Sequence, residues 1–322
     1  MLVHVLPQNR RMRCCEQERQ RQNKLLLKGR KRSALHSPLG HWVRALPTRV
    51  KTLMPVFAAG IRAQYYQRVK RQSKALTAAA GALLLFLTAC THLPTDRAAR
   101  DGAMVSETPT AIVMQGSPGS THTAGFMFYP GAQIDPHAYI PWLSKLAAAG
   151  IPVVVAKMPA NLAVFSPDAG LALTSQVPGT TRWVIGGHSL GGAMAAWSVY
   201  AHPSAYVGVV FLAAYPSASR SLASWPRPVL SISASNDGLA TPKKIADTVP
   251  LLPLPLHTVT GLGQYAPSAA GYSVLYQIQG GNHAQFGSYG LQDGDGSAGI
   301  SAAAQHAEVL GFIEEFFARN GW

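Results

Sequence analysis

Cysteine is nearly absent: the 322 residues contain three, Cys14, Cys15 and Cys90. None lies beyond Cys90, so no disulfide framework staples the bulk of the chain. No C-x-x-C pair and no His-rich spacing occurs, which removes the usual metal sites and leaves no metal or other cofactor to expect. Charge is scarce too, at 13% of residues, and acidic residues are outnumbered, 14 against 28 basic ones. The formal net charge of +14 suggests nucleic acid or an anionic surface as a partner. Its distribution argues otherwise: residues 1–90 hold 18 Lys and Arg against 2 Asp and Glu, whereas residues 91–322 hold 10 against 12. The larger part is nearly neutral, apolar and rich in Gly and Pro, and no nucleic-acid partner is expected for it. Also missing is any apolar run of the ~20 residues that cross a bilayer as a helix.

What the front does have is a shorter run. Ala75 to Ala89 carries no charge and follows the basic stretch Val69 to Lys74, the layout of a secretory signal peptide over residues 69–90. Its end, Leu87-Thr88-Ala89-Cys90, resembles the lipobox of bacterial lipoproteins, and that resemblance implies a lipid on Cys90. Residues 1–68 read as a basic extension, of which 1–53 has little apolar periodicity and is unable to form a core. Translation starting at Met54 explains the oversized presequence better than a binding arm does. Residues 91–108, with Pro94, Asp96, Arg97 and Gly102, read as a flexible tether.

From residue 109 to 322 apolar strands alternate with helical segments, which predicts an α/β domain with a mostly parallel central sheet flanked by helices. Strands are expected at Ala111–Met114, Ala124–Tyr129, Ile151–Ala156, Trp183–Ile185, Tyr206–Leu212, Pro228–Ser233 and Ser273–Ile278. Helical periodicity covers His137–Ala149 and Ser301–Arg319, the latter with Val309, Phe312, Ile313, Phe316 and Phe317 inward. Pro216 to Pro226 is too short to hold a large cap domain.

The organising stretch is Gly186-Gly187-His188-Ser189-Leu190-Gly191-Gly192. It stands between an apolar strand and a small-residue helix, and Gly187-x-Ser189-x-Gly191 has the form of a nucleophile elbow. A Ser hydroxyl becomes a useful nucleophile only when a turn lifts it toward a base, and the turn needs small residues on both sides. After Ser189 come His202, His257, His283 and His306. Only His283 follows a strand directly, in Gly280-Gly281-Asn282-His283-Ala284-Gln285-Phe286-Gly287, and catalytic groups of open α/β sheets sit on such loops. The same test selects Asp237 as the acid after the preceding strand, with an Asx turn ahead of Gly238 as the bland reading. Asp293 and Asp295 come after the His and fall out of order; their loop reads as solvated. The oxyanion donors expected are the N–H groups of Leu190 and Ala132, with Gln133 as the neighbour that would replace Ala132. His188 is expected to line the pocket.

With Phe128-Tyr129-Pro130-Gly131 added to the elbow and the His283 loop, residues 109–322 resemble the α/β-hydrolase superfamily, in particular its small, capless, dienelactone-hydrolase-like group. The resemblance implies hydrolysis of a small ester or thioester by Ser189 through an acyl-enzyme. Dienelactone hydrolases proper use a Cys nucleophile, so their reaction is not carried over. The combined expectation is a serine hydrolase lipid-anchored in a bacterial cell envelope and facing away from the cytoplasm. Acyl transfer by the same triad, or a ligand-binding lipoprotein without turnover, are the alternatives.

Overall fold

The computed structural model describes residues 91–95, 102–116, 122–268 and 271–322, all within the compact unit Ala82–Trp322. The basic extension, the signal peptide and Cys90 lie outside the described residues.

Apolar runs become strands here because each places alternate side chains on opposite faces of a sheet that is covered on both sides. The strands are β1 Met104–Glu107, β2 Ala111–Gln115, β3 Ala124–Tyr129, β4 Val153–Ala156, β5 Arg182–His188, β6 Gly208–Leu212, β7 Val229–Ala234, β8 Leu256–Val259 and β9 Ser273–Ile278. They form one sheet in the order β1-β2-β4-β3-β5-β6-β7-β9-β8. The pairs β1/β2 and β2/β4 are antiparallel, and all others are parallel. Along β3, Phe126 and Phe128 enter one core layer, and Met127 and Tyr129 the other. Val184 and Ile185 of β5 divide in the same way.

Five helices cover these faces: α1 Ile140–Ala148, α2 Ala169–Leu173, α3 Leu190–Ala201, α4 Pro242–Thr248 and α5 Ala302–Arg319. The layer holding Phe126 and Phe128 also takes Trp142, Leu143 and Leu146 of α1 and Val309, Phe312, Ile313, Phe316 and Phe317 of α5. Each of these large side chains contributes about 2–3 kcal/mol by leaving water. The opposite layer receives Ala195, Ala196 and Val199 of α3, whose small side chains let the helix lie close to β5. Sequence and structure agree on α5 to within a residue because Ser301 caps it, accepting from Ala304 N–H at 3.2 Å.

Two strands fall outside the sequence expectation. β1 and β8 are the sheet's edges, and their mostly exposed side chains leave no apolar run to read. The expected tether differs as well. Thr91–Thr95 is bonded to the domain: His92 N–H donates to Gln133 C=O at 2.7 Å, and Thr95 N–H to Ser288 C=O at 2.8 Å. Met104–Glu107 forms β1. Among the described residues no cap domain follows β6, where the connection to β7 holds one short 3-10 turn, Ala218–Arg220.

Candidate active site

β5 runs straight into α3, and the single residue between them is Ser189, at φ 53 and ψ −124. A non-glycine residue in this region carries on the order of 1–3 kcal/mol of strain, sustained only by what surrounds it. Ser189 N–H donates to Leu212 C=O of β6 at 3.0 Å, and its own carbonyl accepts from Ala193 N–H at 3.1 Å. The flanking glycines are sterically required. A Cβ on Gly191 would stand 2.2 Å from the Tyr129 carbonyl oxygen and 2.3 Å from that of Pro130; one on Gly187 would stand 2.6 Å from Gly191 C. The elbow is thereby pressed against the loop after β3.

Ser189 lines a cavity of about 290 Å³ with Leu190, Ala193, Ala213, Ala214, Tyr215, Leu239, Ala240 and His283. Aliphatic groups form most of this wall, which suits an apolar moiety. Behind His283 stands Asp237, and both are almost fully buried. The Asp237 Oδ2 to His283 Nδ1 distance is 2.8 Å. The other oxygen, Oδ1, accepts from Leu239 N–H at 2.8 Å and Ala240 N–H at 2.7 Å. Asp237 therefore makes an Asx turn with one oxygen and bonds the imidazole with the other. A carboxylate can only accept, so Nδ1 carries the hydrogen, and in the neutral tautomer that this selects Nε2 holds the lone pair. That Nε2 is buried and has no hydrogen-bond partner among the described residues.

Leu190 opens α3, so its N–H is one of the unpaired groups at a helix N-terminus, where the helix dipole adds positive potential. In the loop after β3, Gly131 N–H donates to Tyr139 Oη at 3.0 Å and Gln133 N–H to Asn161 C=O at 2.8 Å. Gln133 is thus committed elsewhere, while no hydrogen bond from Ala132 N–H is found among the described residues. Ala132 does not itself line the cavity; its loop meets the site through the Tyr129 and Pro130 carbonyls packed on Gly191.

His188 departs from expectation. It is fully buried and absent from the cavity wall, because a residue preceding the elbow in β5 points into the core rather than toward Ser189. Its ring lies 4.5 Å from that of His283, centroid to centroid, and 5.6 Å from Phe286. Its Nδ1 is 2.9 Å from Tyr139 Oη, which also accepts from Gly131 N–H. Burial, aided by the neighbouring His283, holds the His188 pKa well below the ordinary histidine range. The ring is neutral packing beneath His283.

The remaining histidines stand apart from the cavity. His202 pairs with Asp168 at 3.3 Å, His257 sits in β8 and His306 packs 6.2 Å from Trp142, ring to ring.

Asp295, set aside in the sequence because it follows His283, proves to be a clamp. Its Oδ1 accepts from Gly238 N–H at 3.1 Å and His283 N–H at 3.2 Å, and its Oδ2 from Ala284 N–H at 2.8 Å. One side chain thus ties the loop bearing Asp237 to the loop bearing His283. The segment around it is packed rather than merely solvated, since a Cβ on Gly296 would stand 2.0 Å from Asn236 C=O. Gln305 of α5 is a second such residue. It is fully buried, accepting from Asn282 N–H at 3.0 Å and donating to Asn282 C=O at 2.9 Å. Neither residue carries a sequence signal, because their partners are backbone groups. No three His, Cys, Asp or Glu side chains group as a metal site among the described residues.

Residues 125–307, more than half of the chain, match the sequence profile described as the alpha/beta hydrolase family. No curated protein matches. Among solved structures, the chain is similar to Est1E from Butyrivibrio proteoclasticus, with TM-score 0.46 and 12% identity over 68% of this chain and 100% of that one. A predicted CIB-like hydrolase from Thermoplasma acidophilum gives TM-score 0.44 and 15% identity over 68% and 100%. Est1E with ferulic acid bound gives 0.44 and 11% over 68% and 97%.

Proposed function

The chain belongs to the alpha/beta hydrolase family, and on that premise we propose that it is a serine hydrolase of the carboxylesterase kind. It cleaves an ester or thioester through an acyl-enzyme while held on the outer side of a bacterial membrane by a lipid on Cys90. The observation that carries the catalytic part is the state of His283: Nδ1 is fixed on Asp237 at 2.8 Å, and a partnerless Nε2 is left at a cavity that Ser189 also lines.

In this reading Ser189 Oγ forms a bond to the substrate's acyl carbon while His283 Nε2 takes the hydroxyl proton. The negative charge passes to the former carbonyl oxygen, which the N–H groups of Leu190 and Ala132 receive. When the bond to the leaving alcohol or thiol breaks, His283 returns the proton to it. Water repeats the sequence on the acyl-Ser189 ester, releasing the acid and restoring the hydroxyl. Asp237 keeps the imidazole in the required tautomer and stabilises the imidazolium in both halves. The positive φ of Ser189 favours turnover over a binding role, since a fold kept only for binding has no use for a strained serine.

Steady-state hydrolysis of p-nitrophenyl butyrate tests the reading. Ser189→Ala and His283→Ala are each expected to lower kcat by about 10³-fold or more, with non-additive effects when combined. Wild-type turnover that survives Ser189→Ala would contradict the assignment.

A further inference from the structure

The segment Thr91–Thr95 crosses beside the site. His92 N–H donates to Gln133 C=O at 2.7 Å and His92 C=O accepts from Asp135 N–H at 3.0 Å, a single rung of parallel pairing with Ile134. Three residues on, Thr95 N–H and Oγ1–H reach Ser288 C=O at 2.8 and 3.1 Å. The strap therefore bridges the loop bearing Ala132 and the loop that follows His283.

Large apolar side chains stand exposed around it. Leu93 within the strap is 59% exposed. Leu291, at 91%, follows Gly290, whose added Cβ would touch Thr95 Cγ2 at 3.6 Å. Val164 and Phe165, at 44% and 60%, belong to the turn that follows Asn161, whose carbonyl holds Gln133 and whose side-chain amide lies 3.5 Å from Thr91 Oγ1. Val164, Phe165 and Leu291 lie on connections beyond the carboxyl ends of β4 and β9, the sheet end at which Ser189 leaves β5, and Leu93 lies on the strap bonded to the connections after β3 and β9. Clustered exposed apolar side chains mark an interaction surface.

We propose that this face rests on the lipid bilayer and that the substrate is an acyl ester of an amphiphile held in that bilayer, an inference that rests on the reading of Cys90 as lipid anchor and Ser189 as nucleophile. Covalent geometry keeps a lipid on Cys90 within two residues, about 8 Å, of the His92 rung. With the rung fixed on the Ala132 loop, the anchor has no slack to hold the domain away from the surface, and the apolar rim is the part that meets the acyl boundary. The reaction is the hydrolysis set out above. An ester drawn from the bilayer reaches Ser189 without passing through water.

The test uses the full chain produced in a bacterial host, with the state of Cys90 read by mass. Phosphatidylcholine vesicles carrying a few mole per cent of p-nitrophenyl palmitate present the bilayer ester, and p-nitrophenyl butyrate the soluble one. The combined variant Leu93→Asp, Phe165→Asp, Leu291→Asp is expected to lower the ratio of bilayer to soluble rates by at least about tenfold. Partial misfolding leaves that ratio unchanged. With Cys90 lipidated, an unaltered ratio overturns the inference alone. An unmodified Cys90 overturns the anchoring beneath it, and a wild type that hydrolyses neither ester overturns the serine-hydrolase reading and the inference with it.

Discussion

Asp237 and Asp295 are both carboxylates on loops at the same sheet end, yet only one was legible in the sequence. Asp237 follows a strand and precedes His283 in chain order, a relation that the fold class makes visible. Asp295 acts on Gly238, His283 and Ala284 through their N–H groups, and a backbone donor leaves no mark on residue type. His188 was misplaced for a related reason: whether a residue beside the elbow faces cavity or core depends on the turn's dihedral angles. Asp295→Ala removes both acceptor oxygens, so the N–H groups of Gly238, His283 and Ala284 lose their common tie. The expected result is a fall of about tenfold in kcat per Ser189 titrated by an active-site reagent, with KM nearly unchanged. Counting titrated sites separates mispositioning from loss of folded protein, and a kcat per site equal to wild type would show that the clamp is merely structural.

At the level of elements, the interior strands announced themselves and the edges did not. β3, β6 and β7 are buried throughout, so apolar residues dominate them; β1 and β8 have one paired side and mostly exposed side chains. The strap at Thr91–Thr95 was invisible because its bonds to Gln133, Asp135 and Ser288 are again between backbone groups or to a backbone carbonyl. The strand-elbow-helix unit was readable because its steric demand selects residue types. Gly191→Ala puts a methyl 2.2 Å from the Tyr129 carbonyl, and neither backbone can yield without opening the elbow. A loss of about 2–4 kcal/mol is expected, measured as a lower urea midpoint, together with loss of the proposed hydrolysis of p-nitrophenyl butyrate. A variant as stable as wild type would mean that the elbow and the β3 loop move apart freely.

For the whole molecule, two apolar layers carry the sheet, and the titratable groups caught inside them set how acid is tolerated. Burial pushes the His306 pKa down to about 4, and His188 is lowered in the same direction for the same cause. The unfolded chain, with histidine near 6.5, binds protons that the folded state refuses, so stability is full above pH 6.5 and is lost as the pH falls toward 4. His306 is half-buried, so its share is on the order of 1–2 kcal/mol after allowance for solvent. His306→Gln is expected to flatten the dependence of urea midpoint on pH between 6.5 and 4.5, and an unchanged slope would exclude it as a source. The proposed function turns on Ser189 and His283, which line one cavity. Its most direct test is covalent: the protein is treated with a fluorophosphonate and digested, and the adduct is located by mass. The account predicts one phosphonyl group per chain, on the peptide containing Ser189, and none in Ser189→Ala. Labelling elsewhere, or none in the wild type, would contradict it.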